Sequence, residues 1–157
     1  MAKQNELDDL DKKILSILMN NSKTTYAEVA KQLFVSPGTI HVRMSKLSTM
    51  GIVTGSRLNI DEARLGYDIC AYIGVYLDKS SMYENVAEAL IDIPEIIEAH
   101  YTTGLYNIFA KIICKDTKHL RDVLHRKIQN IAGIQRTETF ISLEKTVERP
   151  INLLKIP

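Results

Sequence analysis

Two stretches of the chain gather side chains able to do chemistry. The first is Tyr101, Thr102, Thr103, Gly104, Leu105, Tyr106 and Asn107, which packs four hydroxyls, an amide and a glycine between two apolar runs. A plain strand reversal needs only two turn residues, and here Gly104 would supply a positive φ while the threonines close local hydrogen bonds. The remaining groups have another use. Amides exposed at a glycine turn can hold a carboxylate, and hydroxyls beside a carboxamide can hold an ammonium and a polar side chain. An α-amino acid needs that mixture. A later alternating run adds Gln135, Thr137 and Glu138, whose carboxylate can neutralise an ammonium if the segments meet, including across subunits.

The second stretch runs from Ser36 to Met50. Placed at helical intervals, Ile40, Met44 and Leu47 share one face. Val42 falls almost opposite, with Gly38 and Ser45 beside it and Thr39, His41 and Lys46 on the margins. A face of small residues, one valine and flanking cations can approach a surface closely, and it suits the floor and walls of a DNA major groove.

Other chemistry finds little support. His100, His119 and His125 are not at metal-ligand spacing with acids or thiols, and no nucleophile elbow or glycine-rich phosphate loop occurs. Cys70 and Cys114 lie in apolar, strand-like runs and read as buried reduced thiols. Neither catalysis nor a metal or cofactor is expected. No apolar run approaches a bilayer span, and the acids of "MAKQNELDDLDKK" stand where a signal peptide needs a positive flank, so a cytoplasmic protein is expected. The net charge of +1 hides an asymmetry: residues 21–60 carry five Lys or Arg against Glu28 alone, whereas residues 61–157 carry twelve against fourteen acids. That split predicts an N-terminal part that meets a polyanion and a C-terminal part with another task.

The elements that position these residues follow from periodicity. Leu7, Leu10, Ile14, Ile17 and Leu18 recur at helical spacing up to the turn formers "NNSK". A second helix starts at Thr25, an N-cap in a capping box with Glu28, and Tyr26, Val29, Ala30 and Leu33 form its stripe. Ser36 caps the third, with Pro37 at the first helical position. Three short helices with a three-residue turn before the exposed small face spell a helix-turn-helix, and residues 52–60, with Arg57, are a candidate wing. After a linker over residues 61–66 the period changes to strand, helix around Met82 to Ile91, strand, strand, helix from Thr117 to Asn130, and strand. In the helix around Met82, Val86, Ala87, Leu90 and Ile91 face inward. The order is β, α, β, β, α, β, a split ferredoxin-like fold. The fold class is α+β, with a DNA-binding domain over residues 1–60 and a second domain over residues 67–157. Helices on one face only leave the other face of the sheet for a homodimer partner.

Both halves resemble a known family. "YAEVAKQLFVSPGTIHVRMSKLSTMGIVTG" is similar to the DNA-binding part of the Lrp/AsnC (feast/famine) transcription regulators, and "AHYTTGLYNIFAKI" with "IQRTETFISL" resembles their effector (RAM-type) domain. The resemblance implies a winged helix-turn-helix that binds double-stranded DNA, a dimer often assembling to an octamer, and a free amino acid bound between subunits. Its nearest form within the family implies asparagine as effector and control of asparagine synthetase expression. Other effectors, such as leucine or lysine, and a sirohaem decarboxylase-like enzyme on the same layout are the alternatives. Carried over by position, the resemblance puts Gly38, Thr39, His41, Val42 and Ser45 near base edges and Lys23, Thr25, Arg43, Lys46 and Arg57 on phosphates, with Ser36 opening the recognition helix. It puts the effector on Tyr101, Thr102, Thr103, Gly104, Tyr106 and Asn107, with Gln129, Gln135, Thr137 and Glu138 as opposite walls. Leu105 departs from the polar residue that other members place in the turn.

Overall fold

A computed structural model describes residues 7–155. They form two compact units, one of residues up to Asn59 with those from Val147 on, the other Ile60–Thr146. The tail from Val147, expected within the second domain, groups with the first.

The helical unit is built from local signals. Helix α1 (Asp9–Asn20) opens on a capping box not foreseen from the sequence, in which the Asp8 carboxylate accepts from the Asp11 amide at 2.8 Å and Asp11 reaches back to the Asp8 amide. Helix α2 (Tyr26–Leu33) has the expected box between Thr25 and Glu28, and α3 (Pro37–Thr49) is capped by Ser36. Ile14, Val29, Ala30 and Ile40 meet in the core, and Leu47 is buried as well. Burial of each large aliphatic contributes about 1.5–3 kcal/mol. Tyr26, expected in the stripe of α2, is exposed instead. Residues 53–60 belong to no strand, so the candidate wing forms no hairpin ladder.

The expected linker holds one turn of 3-10 helix, Ala63–Leu65, ended by Gly66 at φ 85. Beyond it come β1 (Ile69–Leu77), α4 (Tyr83–Ile91), β2 (Ile96–Tyr101), β3 (Ile108–Cys114), α5 (Thr117–Asp122) and β4 (Ile134–Ile141). The strands lie in the order β2-β3-β1-β4, every pair antiparallel, the ferredoxin-like arrangement. Strand alternation sends Ala71, Ile73, Val75, Ile108 and Ile112 to the helix side, where they pack with Val86, Leu90, Leu120, Val123 and Ile128. Ile91 is 80% exposed rather than inward. Val86 and Leu90, one turn apart, form the buried stripe, and Ile93 in the following turn takes the core position. Helix α5 is not regular to Asn130: residues Val123–Ile128 wind as a π-helix, with the Gln129 amide donating to the Leu124 carbonyl at 2.8 Å. A π-turn adds a residue to the turn and re-aims whatever follows it.

Candidate nucleic-acid interface and effector site

On α3 the structure presents the expected face. Val42 is 69% exposed, and Gly38, Ser45 and Lys46 are exposed with it, while Ile40 and Leu47 are fully buried behind them. Lys23 and Arg57 are exposed too. Several neighbours are already engaged. The Ser36 hydroxyl accepts from the Thr39 amide at 3.1 Å and bonds the Thr39 hydroxyl at 2.9 Å. The Thr25 hydroxyl donates to Glu28 at 2.9 Å, and His41 meets the Tyr26 ring edge-on at 5.8 Å. Their first role is to hold the ends and the mutual setting of α2 and α3.

Arg43 departs from the phosphate role. Its guanidinium lies on the carboxylates of Asp8 and, at 3.1 Å, Asp11, whose side chain is 1% exposed. A charge that deep requires a partner, so Arg43 is turned inward as the brace between α3 and α1. Asp8 is held below the usual carboxylate range, first by the Asp11 amide and next by Arg43, and these outweigh its desolvation. The two acids carried no spacing signal linking them to position 43, because that pairing is tertiary.

The hairpin residues separate into distinct places. Thr102 closes the loop: its amide donates to the Asn107 carbonyl at 3.0 Å and its hydroxyl to the Tyr106 carbonyl. Asn107 ties the loop to β1, donating from its amide to Val75 at 2.9 Å and accepting at Oδ1 from the Leu77 amide at 2.9 Å. Its carboxamide continues the ladder, leaving the oxygen spent. Thr103, Gly104 and Leu105 stand exposed at the tip. Gly104 does not adopt the positive φ expected of it, and a Cβ there would meet nothing within 4 Å.

Tyr106 instead crosses to the helix-free side of the sheet. A Cβ on Gly74 would sit 2.3 Å from its ring, so this glycine is what lets the ring lie flat on β1. The Tyr106 hydroxyl donates to Glu138 at 2.9 Å, and Tyr76 donates to the other carboxylate oxygen at 3.1 Å. Arg136 completes the group, 3.2 Å from Glu138 and 3.8 Å over the Tyr76 ring. Both phenols are held protonated above their usual range, Tyr106 chiefly by its bond to Glu138 and Tyr76 chiefly by burial. Tyr72, Phe109 and Phe140 extend the aromatic surface, with Phe109 5.7 Å from both Tyr72 and Tyr106. Gly74, Tyr76 and Arg136 were not singled out from the sequence. The register that sets Gly74 opposite Glu138 and Tyr76 opposite Arg136 was the missing information.

Tyr101 faces the helix side, its ring 4.2 Å from Tyr83, and lines a groove of about 400 Å³ between α4 and β2. None of the other hairpin residues lines that groove. Gln129 donates to the Thr137 hydroxyl at 3.1 Å, so those two expected wall residues do meet, whereas Gln135 is exposed. Among the described residues no cluster of His, Cys, Asp or Glu is arranged for a metal, and Cys70 and Cys114 are free thiols, with burial raising that of Cys114 to about 11.

Two family models match the chain: one described as the Lrp/AsnC ligand binding domain over residues 70–151, and one as a winged helix-turn-helix DNA-binding domain over residues 7–54. Regulatory protein AsnC of Haemophilus influenzae is 47% identical over 145 residues, covering 92% of this chain and 97% of that protein. The chain belongs to the Lrp/AsnC family. Regulatory protein AsnC of Escherichia coli K12 is 46% identical, with 92% of this chain and 95% of that protein covered. The solved structure of E. coli AsnC superposes with a TM-score of 0.89 at 45% identity, over 94% of this chain and 99% of that one. A Neisseria meningitidis regulator solved as an L-Met complex shares the fold, with a TM-score of 0.87 at 21% identity. As an Lrp/AsnC member the chain is a ligand-responsive, DNA-binding transcription regulator and not an enzyme. No helix among the described residues is long and apolar enough to cross a membrane.

Proposed function

We propose that this Lrp/AsnC regulator answers to free asparagine and controls asparagine synthetase expression in the cytoplasm, as a homodimer that assembles to an octamer. Residues 1–60 hold DNA through Gly38, Thr39, His41, Val42 and Ser45 at base edges, with Ser36 at the head of the helix and Lys23, Thr25, Lys46 and Arg57 at phosphates. The sheet unit takes the amino acid. The observation that carries the effector reading is Gly104, a bare residue at the hairpin tip that neither backbone conformation nor crowding within the chain requires. A ligand or partner that approaches the backbone closely supplies the requirement. Thr103 and, across the subunit boundary, Gln129, Gln135 and Thr137 provide the polar walls, while Tyr101, Thr102, Asn107 and the Tyr106–Glu138 pair hold the loop in shape.

The aromatic face of Tyr72, Tyr76, Tyr106, Phe109 and Phe140 supports dimerisation, since a sheet clad on one side must cover its other side. Tyr106 belongs to both the face and the hairpin. A ligand at the tip thereby favours one subunit arrangement over another, the condition for a regulated switch.

The test is thermal unfolding against each of the twenty amino acids. Asparagine at about 100 times its Kd stabilises the protein by about 2.7 kcal/mol, and Gly104→Val folds normally but loses that response. A larger shift with another amino acid overturns asparagine, and no shift with any overturns the site.

A further inference from the structure

Phe34 is the one non-glycine residue with positive φ among the described residues, at φ 57 and ψ 42. It ends α2 in the left-handed conformation, which a bulky side chain adopts only against steric resistance. Yet its ring is 95% exposed, packed on nothing in its own unit, while the next residue, Val35, turns inward onto the helical core. The fold gains nothing from this phenylalanine. Glycine would take the same backbone without strain and without exposing a ring to water.

Its location points to the occupant. Phe34 stands two residues before Ser36, the N-cap of α3, and α3 carries the exposed stripe of Gly38, Val42 and Ser45. Helix-turn-helix proteins enter the major groove by the N-terminal part of that helix, so the turn ahead of it runs beside the groove wall. The turn and first helical residues there, Phe34, Ser36, Pro37 and Gly38, carry no acid, and Lys31 is exposed one helical turn earlier. That surface suits a duplex and offers nothing against its charge.

We infer that Phe34 is a DNA contact, its ring lying on deoxyribose carbons or a thymine methyl at the groove edge beside the recognition helix. It adds an apolar, charge-free increment to an interface otherwise built from small residues and cations.

The experiment uses the full chain with a duplex selected by the protein from a random-sequence pool, and a scrambled duplex of equal length. Phe34→Gly removes the ring and the strain together, so thermal stability holds or rises. Affinity for the selected duplex then falls roughly tenfold. Because no counterion is displaced by a phenyl ring, the slope of log affinity against log salt stays that of the unchanged protein. Phe34→Leu recovers part of the loss and Phe34→Asn, which also tolerates the left-handed backbone, recovers none. Equal loss on both duplexes assigns the contact to the sugars, and loss confined to the selected duplex assigns it to a thymine methyl. Affinity within twofold of the unchanged protein overturns the inference. So does a change of oligomeric state in sedimentation at unchanged affinity per assembly, which would place the ring against a second copy of the chain.

Discussion

The helical unit and the sheet unit hold their candidate functional residues in opposite ways. In the helical unit the exposed stripe on α3 follows from one periodicity and two caps, all within a few residues of the side chains they position. In the sheet unit, neighbours in sequence part company: Tyr101 goes to the helix side, Thr102 and Asn107 into the loop frame, Thr103 to the tip and Tyr106 to the bare face. A local site tolerates changes elsewhere in the chain, whereas a site assembled from strand register depends on every pairing that sets that register.

The sharpest way to break this contrast is to empty one core and watch the other unit. Ile40→Ala removes a fully buried side chain from the helical unit, costing about 3 kcal/mol. DNA binding is lost in a shift assay while the sheet unit keeps its denaturant midpoint and its thermal response to asparagine. If both units melt together, they are not independent.

Gly74→Ala tests the dependence on register from the other side. The new Cβ displaces the Tyr106 ring, breaking its bond to Glu138, at a cost of about 2 kcal/mol in urea unfolding of the sheet unit. The hairpin response weakens with it and the helix-turn-helix keeps its affinity for DNA. Gly104→Ala, with open space around its Cβ, leaves the same midpoint unmoved.

A smaller effect separates cations on one helix. Lys46→Ala reduces the slope of log affinity against log salt by about 1, as expected of a phosphate contact. Arg43→Ala lowers the thermal stability of the helical unit instead and leaves the slope as it was, because its guanidinium is committed to Asp8 and Asp11. A matching drop in slope for Arg43→Ala would return that residue to the DNA.

The smallest effect is in pH. The Asp8 pKa is depressed in the folded state, so the stability it contributes is present above the unfolded value of 3.8 and is lost as pH falls through the folded one. Melting of the helical unit followed between about pH 5 and pH 3 shows this decline, and Asp8→Asn flattens it.

The order of elements, the three caps of the helix-turn-helix except that of α1, the buried and exposed faces of α3 and the ferredoxin-like succession were legible in the sequence. Each depends on contacts within a turn or on alternation along one strand. Even there, Tyr26 and Ile91, expected to be buried, stay exposed, since periodicity names a stripe but not where it ends. The inward commitment of Arg43, the spending of Asn107 on the ladder, the ordinary backbone of Gly104 and the seat of Tyr106 on Gly74 were decided only by tertiary structure. Gly104 apart, those facts depend on pairs 30 or more residues apart, such as Arg43 with Asp11 and Tyr106 with Glu138, which no local pattern encodes. Phe34 lies between the two cases. Its place in the turn was written in the sequence, but that it stands strained and unpacked before the recognition helix is known only from the folded chain.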